Sequence, residues 1–387
     1  MKSQRRCSRR VFLERAGVAS AALLSSGVST LARASAPLQL EFLTIHDPDG
    51  WHPSLRLKGD WLVFQVSDGR LSGYGEASHS KDDAACREAA KRLFARHFAS
   101  FDLSLEGLAR IEAEFLNRSP DFVTATAFSG INQALYELLA KREGVPVWRL
   151  FTDKPAFEKI PLYTTINRAL TTRSVDEYLD LVGKVREQGF SIFKCAPFEK
   201  VTGPERAVEN AESGLETLRA LRKAYPDIGI RIDFHERFAP SDFEALLPAL
   251  EAIQPDWLEE PFPMGDAYHA LRRKTKLTLA GGELFWGTRD FRRLVNKGWV
   301  DVIMPDVKHV GGFGPFLEVC RTVQARVEVS PHNPAGPIST AASLHAAVVS
   351  KAPVRTLEYA YDRAQGRARF GERVERGFIH LSDQPGW

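Results

Sequence analysis

Beyond residue 160 the chain alternates between short apolar segments and longer segments whose apolar residues recur at helical spacing. The eight strand candidates are residues 160–166, 191–196, 229–234, 256–260, 277–281, 301–305, 327–330 and 355–359. The clearest helical runs between them are residues 175–188, 207–224, 241–252, 291–297 and 313–325. Short strands that alternate with helices in this way predict an α/β protein built on a parallel barrel. A doubly wound open sheet is disfavoured, because no GxGxxG or GxxxxGK loop follows any strand candidate.

The region before the barrel has its own pattern, in which strand candidates come first and helices follow. The strand-like stretches are residues 38–49 and 61–74, and the helical stretches are residues 82–97 and 125–142. A sheet followed by helices predicts an α+β module. We therefore place an α+β capping domain at residues 37–155 and the barrel at residues 156–362. We expect the C-terminal segment, residues 363–387, to return to the capping domain.

The first residues have the pattern of an export signal. Residues 8–13 contain the Arg9-Arg10 pair of a twin-arginine motif, a weakly apolar run follows over residues 16–31, and Ala32-Arg33-Ala34 is a small-x-small cleavage site. We expect residues 1–36 to be a twin-arginine signal peptide and the mature protein to be periplasmic. A disordered basic tail is the alternative interpretation.

Charge and composition limit the classes of partner. The leader carries seven basic residues and one acidic residue, so its removal changes the net charge from +3 to −3. The basic pI therefore gives no reason to expect nucleic-acid binding. No run of eighteen strongly apolar residues follows the leader, which argues against a membrane span in the mature chain.

Every predicted barrel strand from the second onward ends beside an ionisable residue. The set is Lys194, Asp233 with His235, Glu259, Glu283, Asp306, His332 and Glu358. From Asp233 onward these residues recur every 23 to 26 positions, the length of one strand–helix unit, which places them on the face where barrel active sites lie. A single carboxylate there could cap a helix. A ring of carboxylates around one axis would repel unless a cation lay among them.

Three of these carboxylates follow consecutive strands and predict a metal site. Asp233, Glu259 and Glu283 offer only hard oxygen ligands, which favours Mg²⁺. A substrate carboxylate on such an ion would have an acidic α-proton, because the metal stabilises the enediolate that proton removal leaves.

The next three strands supply the groups for proton transfer. A carboxylate bonded to one imidazole nitrogen raises the basicity of the other, so Asp306 and His332 could serve as a general-base pair. Glu358 could donate to a substrate carboxylate oxygen if nearby negative charge keeps it protonated.

Taken in order, these motifs resemble the enolase superfamily, and within it the mandelate racemase group. The matching segments are residues 73–76, 128–151, 232–235, 257–261, 282–283, 304–306, 311–312 and 331–334. The resemblance implies a modified (β/α)7β TIM-like barrel with an N-terminal α+β capping domain, usually in a homo-oligomer. It also implies specific roles: Mg²⁺ ligands at Asp233, Glu259 and Glu283, a catalytic dyad at Asp306 and His332, and an electrophilic residue at Glu358.

The sequence departs from the racemases of this group at one point and resembles the dehydratases at another. Racemases have a Lys-x-Lys pair on the second strand, whereas here Lys194 is followed two positions later by Ala196. Acid-sugar dehydratases similar to galactonate dehydratase have an Asp-x-His motif, which is present as Asp233-Phe234-His235. With strand periodicity, His235 would face the same site as Asp233.

These features favour dehydration of an acid sugar to a 2-keto-3-deoxy acid. His332 would remove the α-proton, His235 would protonate the departing β-hydroxyl, and Lys194 would neutralise the substrate carboxylate. One alternative is a racemase or epimerase of a hydroxy or amino acid, which needs a second base opposite His332. Another is an exported carboxylate-binding protein without catalysis. We expect the loops at residues 46–52 and 78–83 to select the substrate.

Overall fold

Two sheets organise the chain, a small antiparallel sheet near the N-terminus and a large, mainly parallel one after it. In the computed structural model the described residues are 37–46, 60–323, 326–361, 367 and 370–387. The predicted export signal, residues 1–36, and residues 47–52 of the first predicted substrate loop lie outside them. Among the described helices, none combines the length and the apolar character needed to cross a bilayer.

The small sheet and the helices that follow it form the predicted α+β module. Its strands are β1 (Gln39–His46), β2 (Asp60–Ser67) and β3 (Ser72–Glu76), paired antiparallel in that order. Its helices are α1 (Asp83–His97), α2 (Leu105–Leu116) and α3 (Phe122–Glu143). Asp82, Ser104 and Asp121 cap these helices by accepting a backbone N–H with their side chains.

Helix α3 lies directly against β3. Gly75 in β3 faces the helix so closely that an added Cβ would lie 2.0 Å from the carbonyl oxygen of Gly130. Every residue of α3 from Ala125 to Ala140 is buried, because the small sheet covers one side of the helix and barrel residues contact the other. The module and the barrel therefore share one core around this helix.

The large sheet contains eight parallel strands that alternate with seven helices in the described part of the chain. The strands are β4 (Lys159–Thr165), β5 (Ile192–Cys195), β6 (Gly229–Asp233), β7 (Trp257–Glu259), β8 (Leu279–Gly281), β9 (Val302–Ile303), β10 (Glu328–Val329) and β11 (Leu357–Ala360). The helices are α4 (Val175–Glu187), α5 (Ala207–Ala224), α6 (Pro240–Ile253), α7 (Ala267–Lys274), α8 (Gly287–Lys297), α9 (Phe313–Val323) and α10 (Pro337–Ser350).

The barrel closes because β11 pairs with β4 and a bridge between Val329 and Val354 joins β10 to the segment before β11. The predicted fold class, a (β/α)7β barrel with an N-terminal α+β domain, is confirmed.

The C-terminal segment contacts both parts of the structure. It forms the hairpin β12 (Val374–Glu375) and β13 (Phe378–His380), and β13 pairs antiparallel with the first residues of β4. The indole N–H of Trp387 donates to the carbonyl of Tyr74 in β3. Residues Pro37–Trp387 form one compact unit, so the boundaries at residues 155 and 362 stay a prediction.

Candidate active site

The structure brings all the predicted site residues together at the carboxyl ends of the barrel strands. Asp233 and Glu259 are the last residues of β6 and β7, and they pair in register. Glu283 follows β8 by two residues. Lys194 and Glu358 lie within β5 and β11. Parallel strands of similar length present their carboxyl ends on one rim, so residues far apart in sequence meet there.

The three predicted metal ligands form a tight acidic cluster. One oxygen each from Asp233, Glu259 and Glu283 lies within 4.8 Å of the others. Burial, together with the neighbouring carboxylates, raises the pKa of Glu259 and of Glu283 well above the ordinary value. Burial would raise the pKa of Asp233 as well, but His235 and Lys194 lower it below its ordinary value.

Lys194 is a buried cation among these carboxylates. Its Nζ lies 2.6 Å from Glu259 Oε1, 3.0 Å from Glu358 Oε1 and 3.6 Å from Asp233 Oδ2. Burial works against its charge, but the surrounding carboxylates raise its pKa well above the ordinary value. Lys194 is therefore an ammonium group and not a neutral base in this arrangement.

The predicted dyad is assembled beside the acidic cluster. His332 Nδ1 lies 2.8 Å from Asp306 Oδ2, and its Nε2 lies 3.0 Å from Glu283 Oε2. Because Asp306 is fully buried and its carboxylate accepts a hydrogen bond from the Nδ1–H of His332, it fixes the orientation of the ring. The Nε2 atom consequently points into the space around the three carboxylates.

Glu358 accepts hydrogen bonds on both carboxylate oxygens. The hydroxyl of Thr165 donates to Oε1 and the backbone N–H of Asn333 donates to Oε2. Burial would raise the pKa of Glu358, but Lys194, His332 and these donors lower it to about 2. Glu358 is therefore ionised in the free site, and the predicted proton-donating role would need a bound substrate carboxylate to raise its pKa.

His235 reaches the site by a route other than the one expected from strand periodicity. Strand β6 ends at Asp233, and His235 and Glu236 have φ angles of +49° and +55°. In this left-handed turn the backbone N–H of His235 donates to Asp233 Oδ1, and its Nε2 lies 2.9 Å from Asp233 Oδ2. The expectation that strand β6 continues through His235 is wrong. A turn after Asp233 directs the His235 side chain to the site instead. The Asp233 charge raises the pKa of His235.

The second predicted substrate loop packs on Phe122, whose ring neighbours a histidine beside the dyad. Lys81 Nζ lies 4.6 Å from the ring centre of Phe122, which lies 4.5 Å from the ring of His309. His309 Nε2 is 3.8 Å from Asp306 Oδ2. The loop at residues 78–83 therefore packs towards the side of the site where the dyad lies.

These residues fit a divalent cation. The carboxylates of Asp233, Glu259, Glu283 and Glu358 converge here, and Lys194 is the cationic side chain with ion-pair contacts to three of them. Burial, together with this uncompensated negative charge, raises the pKa values of Glu259 and Glu283. An all-oxygen donor set suits Mg²⁺.

A comparison with known protein families identifies the family of this chain. The family described as "Enolase C-terminal domain-like" matches residues 177–387, more than half of the chain. The chain belongs to the enolase superfamily. The matched region contains Lys194, the acidic cluster, the dyad and Glu358, so the whole constellation lies inside the enolase-type domain.

Solved structures share this enolase-superfamily fold over nearly the whole chain. A mandelate racemase/muconate lactonizing enzyme-like protein from Rubrobacter xylanophilus is 24% identical, with a TM-score of 0.78 over 92% of this chain and 94% of that one. An enolase from Agrobacterium radiobacter, proposed to be a galactarate dehydratase and bound to Na and L-malate, is 22% identical (TM-score 0.74, 91% and 92% covered). The 3,6-anhydro-D-galactonate cycloisomerase from Zobellia galactanivorans is also 22% identical (TM-score 0.74, 91% and 95% covered). At these identities the likeness establishes the fold alone.

Lys308 is a buried residue of this enolase-superfamily site that the sequence pattern did not predict. Its Nζ lies 2.7 Å and 2.9 Å from the two oxygens of Asp306, and its backbone N–H donates to Asp306 Oδ1. Burial would raise the pKa of Asp306, but Lys308 and His309 hold it far below its ordinary value. The Asp306-Val307-Lys308 spacing was a signal for this pair, although a lysine after a strand is usually solvated.

Proposed function

We propose that this protein removes the proton α to a carboxylate with the help of Mg²⁺, and that its reaction is dehydration of an acid sugar to a 2-keto-3-deoxy acid. The observation that carries the proposal is the placement of two imidazoles on the acidic cluster. His332 Nε2 lies 3.0 Å from Glu283, and His235 Nε2 lies 2.9 Å from Asp233. The proposed base and the proposed acid each contact one carboxylate of the candidate metal site, which supports their joint use in an elimination of water.

Each residue of the site has a separate role in the proposed reaction. A divalent cation held by Asp233, Glu259 and Glu283 would offset the negative charge that develops on the substrate carboxylate. His332 takes the α-proton at Nε2 while Asp306 holds its Nδ1. His235 gives a proton to the β-hydroxyl, which leaves as water, and the resulting enol tautomerises to the 2-keto acid.

Lys194 and Glu358 form the polar wall beside the cluster. Their side chains pair at 3.0 Å, and both are buried. In this position the ammonium group would neutralise a substrate carboxylate, and Glu358 would orient Lys194. These roles of Lys194 and Glu358 concern substrate binding and charge, and neither role requires Lys194 to accept a proton.

The state of Lys194 favours dehydration over racemisation. A racemase needs a base on each face of the α-carbon, but Lys194 is an ammonium group held by three carboxylates. The position two residues later, where racemases of this group have a second lysine, is Ala196. Two structural relatives are named for acid sugars, galactarate and 3,6-anhydro-D-galactonate, which supports a substrate of that class.

A panel of aldonic and aldaric acids with Mg²⁺ tests the reaction. We expect at least one acid to give a 2-keto acid, detected with semicarbazide. We expect His332→Asn to lose both product formation and α-deuterium exchange in D₂O. His235→Asn should lose product formation but keep exchange, because only the acid is removed.

If the wild type exchanges the α-proton with inversion and forms no 2-keto acid, the dehydratase proposal is wrong. Binding without either reaction would favour a non-catalytic role.

We also propose that the mature enzyme acts in the periplasm, on the basis of the Arg9-Arg10 motif. Replacing both residues with lysine should keep the full-length protein in the cytoplasm, as cell fractionation would reveal. The matched control replaces Arg5 and Arg6, an arginine pair outside the motif, and should leave export intact. Export of both variants alike would contradict the proposal.

A further inference from the structure

A layer of large buried side chains fills the barrel directly beneath the candidate metal ligands. Three residues of this layer precede a residue of the site by two positions on the same strand. Tyr163 precedes Thr165, Arg231 precedes Asp233, and Trp257 precedes Glu259. Because side chains alternate along a strand, both members of each pair point into the barrel. The register places Arg231 directly beside Trp257.

Trp257 contacts a candidate metal ligand through its indole nitrogen. Its Nε1 donates to Glu259 Oε2 at 3.0 Å, while the other oxygen of Glu259 lies 2.6 Å from Lys194 Nζ. Each oxygen of this fully buried carboxylate therefore has its own donor. Two donors on opposite oxygens restrict rotation of the carboxylate plane, which sets the direction in which its free lone pairs point.

The indole is itself held in place from below. The guanidinium carbon of Arg231 lies 3.6 Å from the ring centre of Trp257 and 4.2 Å from that of Tyr163. The two rings meet edge to face at 5.3 Å. Arg231 Nη1 donates to the hydroxyl of Thr356, and Asp256 lies 3.9 Å from Nε. Contact with two aromatic faces stabilises this buried cation, and the cation in turn limits movement of the indole.

We propose that Trp257 is a positioning residue for the metal ligand Glu259, and that Arg231 and Tyr163 hold Trp257 in the required orientation. The inference rests on the proposed function, because it concerns the metal which that function needs. Hydrogen-bond partners behind a ligand orient it, and their loss typically lowers metal affinity by about 10- to 100-fold. Trp257 would act on metal affinity without touching either the metal or the substrate.

The test measures Mn²⁺ binding, with Mn²⁺ as a paramagnetic substitute for Mg²⁺. The free ion is followed by electron paramagnetic resonance, so no substrate is needed. Trp257→Phe keeps a ring against Arg231 but removes the N–H donor, and we expect Mn²⁺ affinity to fall by about tenfold. Circular dichroism verifies that equal amounts of folded protein are compared.

The chain offers a matched control in Trp299. This indole is also buried, lies under an arginine (Arg293, 5.3 Å from the ring centre), and donates from Nε1 to His269 at 3.2 Å. Trp299→Phe should leave Mn²⁺ affinity within about twofold of wild type, because its acceptor is not one of the candidate ligands. The same fall in both variants would indicate a general loss of packing and would overturn the proposal.

A second variant keeps the test decisive if Trp257→Phe does not fold. Trp257→Met also lacks the donor, and its flexible side chain adapts to irregular space. Wild-type affinity in either folded variant would overturn the role of Trp257 and leave the proposed function standing. A wild-type protein that binds no Mn²⁺ would overturn both.

Discussion

At the scale of single residues, the site depends on buried charges that compensate one another. Asp306 and Lys308 are both fully buried, and the ammonium group contacts both oxygens of the carboxylate. Removing one partner of such a pair leaves the other as an uncompensated buried charge, which is far more costly than the pair itself. Lys308 therefore stabilises the dyad carboxylate in its ionised form.

We expect Lys308→Met to lower the free energy of unfolding by about 3–5 kcal/mol, because it leaves Asp306 without its cation. Denaturation in guanidinium chloride would measure the loss. The control is Lys91→Met, which removes an exposed lysine paired with Glu88 on the surface of α1. Its denaturation midpoint should match wild type. Equal midpoints for all three proteins would show that the buried pair contributes nothing.

Glu112 gives a pH-dependent prediction. Burial raises its pKa to about 7, although Asn132 and Tyr136 donate to its Oε1. A carboxyl group whose pKa is higher in the folded state contributes stability below its unfolded pKa and loses it as pH rises through the folded pKa. The loss falls between about pH 4.5 and pH 7 and amounts to about 3 kcal/mol.

The glutamine in Glu112→Gln does not titrate, so this variant avoids the loss of stability that the wild type shows at higher pH. Its free energy of unfolding relative to wild type should therefore rise by about 2–3 kcal/mol between pH 5 and pH 8. Urea denaturation at both pH values measures this difference. Glu106→Gln, at an exposed position on the same helix, should follow wild type at both. A difference between Glu112→Gln and wild type that does not change with pH would contradict the prediction.

At the scale of elements, the packing of α3 on β3 joins the N-terminal module to the barrel. Glycine is required in β3 because any Cβ at Gly75 would overlap the backbone of α3. The same helix reaches the barrel: Asn132 Oδ1 accepts from the backbone N–H of Phe313, and Ser129 Oγ accepts from that of Gly311. A shift of α3 away from β3 would therefore disturb the loop that leads into α9.

We expect Gly75→Ala to destabilise the protein by about 1–3 kcal/mol or more, because the added methyl group must push α3 away. Thermal unfolding would measure the effect. Gly203→Ala is the control, since a Cβ at that position meets no atom within 4 Å and its φ is not positive. If the two variants unfold at the same temperature, the close packing of α3 on β3 does not limit stability.

At the scale of the whole molecule, stability and metal binding should be linked. Three carboxylates from three strands repel one another in the folded barrel but not in the unfolded chain. A cation that binds only the folded state stabilises it by mass action. The barrel would then be most stable when the site is loaded.

Mg²⁺ at about one hundred times its dissociation constant should raise the free energy of unfolding by about 2.7 kcal/mol. Glu283→Gln should lose most of this gain, because it removes one ligand charge. Glu216→Gln changes an exposed carboxylate on α5 and should keep the full gain. An equal response to Mg²⁺ in both variants would place the ion elsewhere.

Much of the fold followed from local pattern. The eight barrel strands and helices α4, α5, α6, α8 and α9 were predicted because periodicity and turn residues are local properties. Helices α2, α7 and α10 were not. Helix α7 has only eight residues, too few to reveal a helical period, and α10 is buried along most of its length, so no polar face marks it. The formation of α7 and α10 depends on packing against neighbouring elements, whereas α2 has a Ser104 cap and apolar residues at helical spacing, a local pattern that predicts a helix.

The sequence by itself determined which strand ends carry the ionisable groups, because one group per strand–helix unit is a matter of spacing along the chain. Only the tertiary structure decided what those groups do to one another. Lys194 is an ammonium group among carboxylates, Lys308 compensates Asp306, and His235 reaches its partner through a left-handed turn. Ionisation depends on burial and on distances between strands, and those distances exist only once the barrel has closed.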